Sequence, residues 1–286
     1  MEKITWKNVQ KFSDNTLADG LWELSKRPFE SYSDISHNDF GNYLISHDKK
    51  PYYVGEAKDI CKRLKQQFKP TTSTFFKNYQ KYLTKNKGLT VLLIDNFKVQ
   101  HMPTQLGRKE VEEFGIVNLP TIVNSFQLGK RERQKVCCHD GLWSEVQKAK
   151  SELLNEGEKE IFKQTFQKWF DNKVFSRAGL YLVQNKSGDL IYIGESSDIN
   201  QRFATHSGRT YFSALRRHIA TEILSFELKE INGKKKYLNE NEEKAVTAFL
   251  KTCNASFHPT DFGRYELEEY LIKKYRPLLN RKGNKD

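Results

Sequence analysis

Sulfur and proline are scarce in this chain of 286 residues, which has four cysteines, two methionines and seven prolines. Cys61, Cys137, Cys138 and Cys253 are too few and too unevenly placed for a disulfide framework, so reduced thiols are expected. Cys137-Cys138-His139 lacks the ligand spacing of a zinc finger. Nowhere does an apolar run approach the roughly 20 residues of a membrane span. The opening Met1-Glu2-Lys3-Ile4-Thr5-Trp6 has neither the apolar core of a secretory leader nor a lipid-attachment motif. The expectation is a soluble, cytoplasmic chain with no membrane partner. Negative charge is also in deficit: 36 Asp and Glu against 48 Lys and Arg leave a formal charge of +12. That balance favours an anionic partner and by itself does not choose among nucleic acid, a membrane surface and an acidic protein.

What the chain does have is a repeat of itself. Gly263-Arg264-Tyr265-Glu266-Leu267-Glu268-Glu269-Tyr270-Leu271-Ile272 aligns without a gap on Gly107-Arg108-Lys109-Glu110-Val111-Glu112-Glu113-Phe114-Gly115-Ile116. Upstream, Gly179-Leu180-Tyr181 with Tyr192-Ile193-Gly194 answers Gly41-Asn42-Tyr43 with Tyr53-Val54-Gly55. Two copies of one domain follow, which the length accommodates. The boundaries are an N-terminal extension over residues 1–39, with a helix around Thr16 to Lys26 packed on the first copy; a first copy over 40–127; a helical linker over 128–175; and a second copy over 176–286. The linker rests on Trp143, Val146, Ala149 and Leu153, then Ile161, Phe162, Phe166 and Trp169, at helical spacing.

Within the second copy, the β-prone runs Leu180–Val183 and Leu190–Ile193 are separated by turn residues, Asn185 to Asp189, which predicts a hairpin. Asp198 caps a helix through His206, and Arg202 and His206, four apart, share one of its faces. A second helix over Tyr211 to Thr221, a strand near Ile223 to Leu228, and a last helix over Tyr265 to Tyr275 complete the plan, with Pro277 ending that helix through Arg276. The first copy repeats it: Asp59 as cap, Arg63 on the helix, a strand over Val91 to Ile94 and a helix to Ile116. Residues from about Lys229 to Asp261 are an insertion of the second copy, with Lys234-Lys235-Lys236 at its tip after the turn pair Asn232-Gly233.

Two tyrosines on adjacent strands, an arginine and a histidine on one helix face and a glutamate on another helix form a set suited to phosphodiester hydrolysis. Water needs a base or an orienting hydroxyl, the transition state needs positive charge at its equatorial oxygens, and the leaving oxygen needs a Lewis acid. One carboxylate can hold Mg²⁺, which keeps most of its waters. Singly, each residue has a structural alternative: strand aromatics for Tyr181 and Tyr192, an ion pair with Asp198 for Arg202, and solvated carboxylates for Glu266, Glu268 and Glu269.

Taken together, the two tripeptides, Arg202 ten residues beyond Tyr192, His206 four further on, and the closing run from Glu268 to Asn280 with its proline resemble the GIY-YIG nuclease family. The resemblance implies an α/β (α+β) fold of two tandem domains, each a small, mostly antiparallel three-stranded sheet flanked by helices. It also implies cleavage of nucleic acid at one divalent cation per site, Mg²⁺ or Mn²⁺. In the second copy Tyr181 and Tyr192 would flank the attacking water, Arg202 would stabilise phosphate charge, and His206 would assist proton transfer or orient water. Glu268 would bind the metal and Asn280 would support the site. Glu195 departs from members with lysine there. In the first copy Tyr43, Tyr53, Arg63, Gln67, Glu112 (metal) and Asn124 take these places; Gln67 replaces the histidine and cannot accept a proton at neutral pH, which implies a slower or altered site.

The expected partner is double-stranded DNA, contacted by Arg209, Arg216, Arg217 and His218 beside the second site and by Lys77, Lys81 and Lys85 beside the first. Cutting a duplex takes two hydrolyses on antiparallel strands, which a fused tandem supplies as a pseudo-dimer, so a monomer suffices. A restriction or defence endonuclease is the leading reading. Left open are a structure-specific repair or recombination nickase whose first copy only binds DNA, and a non-catalytic nucleic-acid-binding protein.

Overall fold

The computed structural model describes residues 3–36, 38–71, 73–124 and 132–280. The expected end of the first copy at Gln127, the start of the linker at Leu128 and the side chain of Lys235 lie outside the described part. The chain divides into two compact units, Met1–Leu153 and Leu154–Asp286, each of mixed helix and small antiparallel sheets. No described helix is long and apolar enough to cross a membrane.

The first unit runs α1 (Trp6–Lys11), α2 (Ser13–Ser25), β1 (Gly41–His47), β2 (Lys50–Ala57), α3 (Ile60–Gln67), α4 (Thr74–Lys85), β3 (Lys98–Pro103), α5 (Arg108–Asn118) and α6 (Leu142–Lys148). Its sheet has the order β2-β1-β3 with every pair antiparallel. The Asp59 side chain accepts from Lys62 N at 2.7 Å and so starts α3 where the sequence predicts it. The N-terminal helix α2 packs on α5 and β3. Its buried Asp19 accepts from the backbone N–H of His139 (2.7 Å) and Trp143 (2.8 Å), which fixes the start of α6.

Those bonds correct the expected linker. Trp143 and Val146 are buried in the first unit, whereas Trp169, expected on the same helical stretch, is fully buried in the core of the second. The division between the units falls inside α7 (Lys150–Phe162). Beyond it the chain turns to a short strand, β4 (Gln167–Lys168), and a single 3₁₀ turn rather than more helix. Glu158 on α7 accepts from Lys274 Nζ (2.7 Å), Tyr270 Oη (3.0 Å) and Tyr275 Oη (2.5 Å), so this part of the expected linker belongs to the second unit.

The second unit continues with β5 (Gly179–Gln184), β6 (Leu190–Ser196), α8 (Ile199–Ser207), α9 (Ala214–His218), β7 (Lys229–Ile231), β8 (Lys234–Tyr237), α10 (Glu240–Thr252), β9 (Asn254–Pro259) and α11 (Arg264–Tyr275). Its main sheet has the order β4-β9-β5-β6, so its last three strands repeat the first unit's β3-β1-β2. Hairpin, capped helix and closing helix stand where expected. The third strand does not. Ile223 to Leu228 leaves α9 through a π-turn, Phe226 N donates back to Ala220 O at 2.8 Å, and Ser225 sits at φ 55°. A left-handed residue there folds the run onto the helix instead of into a sheet. In the first unit Val91 and Leu93 are exposed outside any strand, and β3 follows later. The true third strand of the second unit, β9, therefore lies within the expected insertion, and only β7, β8 and α10 are additional.

Candidate active site

Strand pairing sets the centre of each unit. Tyr181 stands opposite Gly194 across β5 and β6, and Tyr192 opposite Val183, so the two tyrosines are diagonal neighbours on one face. Their ring centroids are 5.9 Å apart. Tyr43 and Tyr53 repeat the arrangement at 6.1 Å, with Tyr43 opposite Gly55. The glycines are required: a Cβ on Gly194 would lie 2.3 Å from the phenol carbon of Tyr181, and one on Gly55 2.4 Å from the Tyr43 oxygen. Gly194→Ala is accordingly expected to destabilise the second unit by about 1–3 kcal/mol, the usual range for overpacking. Urea unfolding measures this, and a variant as stable as the parent would contradict the packing.

The buried Tyr181 hydroxyl meets His206 Nε2 at 2.7 Å, and His206 Nδ1 meets Ser213 Oγ at 2.7 Å. Burial, with the charges of Arg202, Arg216 and Arg217 nearby, pushes the imidazole down to about 3, so His206 is neutral at physiological pH. It holds the tyrosine rather than carrying a charge. Gln67 does the same in the first unit: Nε2 donates to Tyr43 Oη at 3.0 Å and Oε1 accepts from Phe75 N at 3.1 Å. An amide and a neutral imidazole each offer at least one donor and one acceptor, so either can bridge the tyrosine hydroxyl to the element behind it.

Burial first, and then the neighbouring Tyr192, hold the Tyr181 phenol well above its ordinary range. Burial and then the charge of Glu268 push Tyr192 up to about 12. Tyr43 is raised by burial and by Tyr53, and Tyr53 by burial and by Glu112. All four are phenols at neutral pH. Arg202 on α8 lies close enough for its charge to favour the ionised form of Tyr181 and Tyr192, and Arg63 acts likewise on Tyr43 and Tyr53.

Glu268, on α11 against β6, is partly buried, and its Oε1 accepts from the backbone N–H of Glu195 at 3.1 Å. It is thus gathered with the tyrosines, not turned out into solvent. Glu195 itself forms an ion pair with the fully buried Arg264 at 2.9 Å, which accounts for a carboxylate where lysine was the pattern. Glu56 lies 3.8 Å from Arg108 in the first unit. Glu112 differs from its counterpart in having a carboxyl pushed up to about 8, by burial first and then by Glu56 and Glu113. Asn280 clamps the strand beneath: Oδ1 accepts from Ile193 N at 2.8 Å and Nδ2 donates to Ile193 O at 2.7 Å. Asn124 makes the same pair of bonds with Val54, both at 2.9 Å.

Residues 160–286 match the family model of the GIY-YIG catalytic domain. No curated protein and no solved structure matches the chain. The match supports one GIY-YIG domain, a nuclease-type enzyme domain, does not extend to the first unit, and reaches back past the expected start at residue 176 to take in β4 and Trp169. All six residues expected in the GIY-YIG domain fall inside it.

The expected DNA contacts divide. Arg209 is exposed, as are Lys77, Lys81 and Lys85 in the first unit. Arg216 is withdrawn from the phosphate-contacting set: it is buried, with Nη2 2.8 Å from Glu243 Oε2 and Nε donating to Thr210 Oγ1. His218 Nδ1 lies 2.5 Å from Leu279 O and serves the segment that carries Asn280. Arg217 donates to the carbonyls of Thr210 and Tyr211 while standing near Tyr192 and His206. The residues that sequence reasoning missed are Ser213, Glu243 and Arg264. Arg264 and its counterpart Arg108 were visible inside the repeated decapeptide, whereas the pairing of Arg216 with Glu243 needed the fold.

Proposed function

We propose that the chain is a metal-dependent endonuclease of double-stranded DNA, of restriction or defence type, in which both units follow the GIY-YIG plan and each cuts one strand. The observation that carries this reading is the reuse of contacts: Tyr43, Gln67 and Asn124 bond as Tyr181, His206 and Asn280 do, around a glutamate in the same place. A decayed binding module has no need to keep them.

The donor set suits Mg²⁺ or Mn²⁺. Glu268 is one partly buried carboxylate beside Tyr192, and no group of three or more acidic, His or Cys side chains placed to hold a metal gathers here or anywhere among the described residues. An ion that keeps most of its waters needs no more than one or two carboxylates. Glu268, and Glu112 in the first unit, would hold it, and when bound it would supply charge to the leaving oxygen. Arg202 places a guanidinium where phosphate charge grows. Tyr192, the more accessible phenol, orients the attacking water, and Tyr181 is fixed by His206 so that the pair keeps its geometry.

The test is supercoiled plasmid with the full-length protein in Mg²⁺, Mn²⁺ or EDTA. Linear product is expected with metal and none in EDTA; an inert protein in all three refutes the reading. One observation favours the nickase alternative. The high Glu112 carboxyl holds its proton near neutral pH and is slower to accept a cation, which would leave the first unit to bind DNA. Nicked circles as the only product would select that alternative.

A further inference from the structure

The hairpin β7–β8 and helix α10 have no counterpart among the described residues of the first unit, whose sheet forms without them. The end of β8 and the helix α10 line, with the 3₁₀ turn at Thr210–Phe212, a cavity of about 810 Å³. None of Tyr181, Tyr192, Arg202, His206, Glu268 and Asn280 lines it. Three aromatic rings, Tyr211 and Phe212 of the turn and Tyr237 of β8, stand in its otherwise mostly polar wall. Tyr211 and Tyr237 lie with ring centroids 4.9 Å apart and tilted by 30°, and Phe212 meets Tyr211 edge-on at 4.7 Å. Phe212 is 70% exposed, more than Phe162, Phe170 or Tyr275, the unit's other exposed rings.

Cations surround these rings. Lys234 Nζ lies 3.2 Å from the Tyr211 hydroxyl, and Lys234 and Lys236 each stand 5.9 Å from the Tyr211 centroid. Arg209, Lys244 and Lys251 line the opening and are exposed. The carboxylate of Glu243 is taken up by Arg216, whose buried Nη1 has no hydrogen-bond partner, so Glu240 is the acidic side chain left on the wall. An exposed aromatic platform ringed by lysines is the pattern that takes a nucleobase by stacking and its phosphates by charge. Paired bases inside a duplex offer no face to such a platform.

We propose that this cavity holds an unpaired base of the bound DNA strand, stacked on the exposed Phe212 ring with the perpendicular Tyr211 ring at its edge, and with its flanking phosphates on Lys234 and Lys236 beside Tyr211. The proposal rests on the DNA reading of the preceding section. It gives the second unit a contact that the first lacks and a preference for duplexes in which a base has left the stack. Phe212 is followed directly by Ser213, the hydrogen-bond partner of His206, so the platform and the buried Tyr181 relay are joined by one peptide bond.

The test uses the full-length protein in EDTA, so that no strand is cut, with a blunt duplex and the same duplex carrying one unpaired 2-aminopurine. Stacking should quench the 2-aminopurine fluorescence on binding. Phe212→Ala, whose side chain is already in solvent, should abolish the quench and weaken binding of the distorted duplex about tenfold, the usual scale for one base on one ring, while leaving the blunt duplex within about twofold. Tyr211→Phe keeps the ring and should keep the quench. Loss of affinity for both duplexes alike, no quench with the parent, or a free nucleotide bound as tightly as the oligonucleotide would each overturn the proposal. A parent that quenches 2-aminopurine yet cuts nothing in Mg²⁺ sinks the nuclease reading and leaves the platform standing, whereas one that cuts without quenching does the reverse.

Discussion

Glu268→Gln is expected to lower cleavage by the second unit about a thousandfold, the several kcal/mol that a metal contributes to a phosphoryl-type transition state. The substitution keeps an oxygen for the Glu195 N–H, so the local hydrogen bond survives and the change is one of charge. It also separates two roles. The negative charge of Glu268 raises Tyr192, so its removal makes that phenol easier to ionise. If ionisation of Tyr192 limited the rate and Glu268 held no metal, Glu268→Gln would be faster than the parent. On supercoiled plasmid Glu268→Gln should give nicked circles in place of linear DNA, Glu112→Gln should do the same through the first unit, and the double variant should give neither. Linearisation by either single variant at the parent rate would end the assignment of one strand to each unit.

The second large effect is on stability in mild acid. His206 is held at about 3 and His258, also buried, at about 4, against an ordinary value near 6.5. Above pH 6.5 neither the folded nor the unfolded chain protonates them, and they contribute no pH dependence. Below it the unfolded chain takes up protons that the folded unit refuses, so stability falls as pH falls until the folded values are reached. At pH 5 each histidine should lower stability by about 2 kcal/mol relative to pH 7.5. The groups facing His206 are Arg202, Arg216 and Arg217, and Tyr181 and Tyr192, whose raised phenols stay neutral. His206→Gln borrows the first unit's solution and should remove about half of the histidines' acid loss in the second unit while preserving the bond to residue 181, whereas Glu112 in the first unit, its carboxyl held at about 8, gains stability as the pH falls. Urea unfolding at pH 7.5 and pH 5 measures both proteins. An equal acid loss in parent and variant would show that His206 takes up its proton in the folded state.

Much of the site was legible because it depends on spacing along short elements. Period two on a hairpin puts Tyr181 and Tyr192 on one face, a glycine opposite a buried ring is forced by volume, and Glu268 and Asn280 are set by one helix and the turn after it. The third strand was not legible for a reason that concerns burial. Ile223 to Leu228 looks like a strand because it is apolar, whereas β9 buries Ser256 and His258 and so hides its character. Arg216 misled in the opposite sense. A cation on a helix near a nuclease site suggests a phosphate contact until Glu243, from an added helix, is seen to neutralise it. The linker failed as a separate element because helical periodicity reports an apolar face without reporting which unit covers it.

Glu158 collects three donors from α11, the helix that carries Glu268, yet it sits on α7, upstream of where the family match begins. A segment that looks like a spacer therefore works as a mooring. Trimming an expression fragment to the matched residues, or letting a protease nick α7 ahead of residue 160, would set the helix that carries Glu268 adrift while every recognisable motif remained in place.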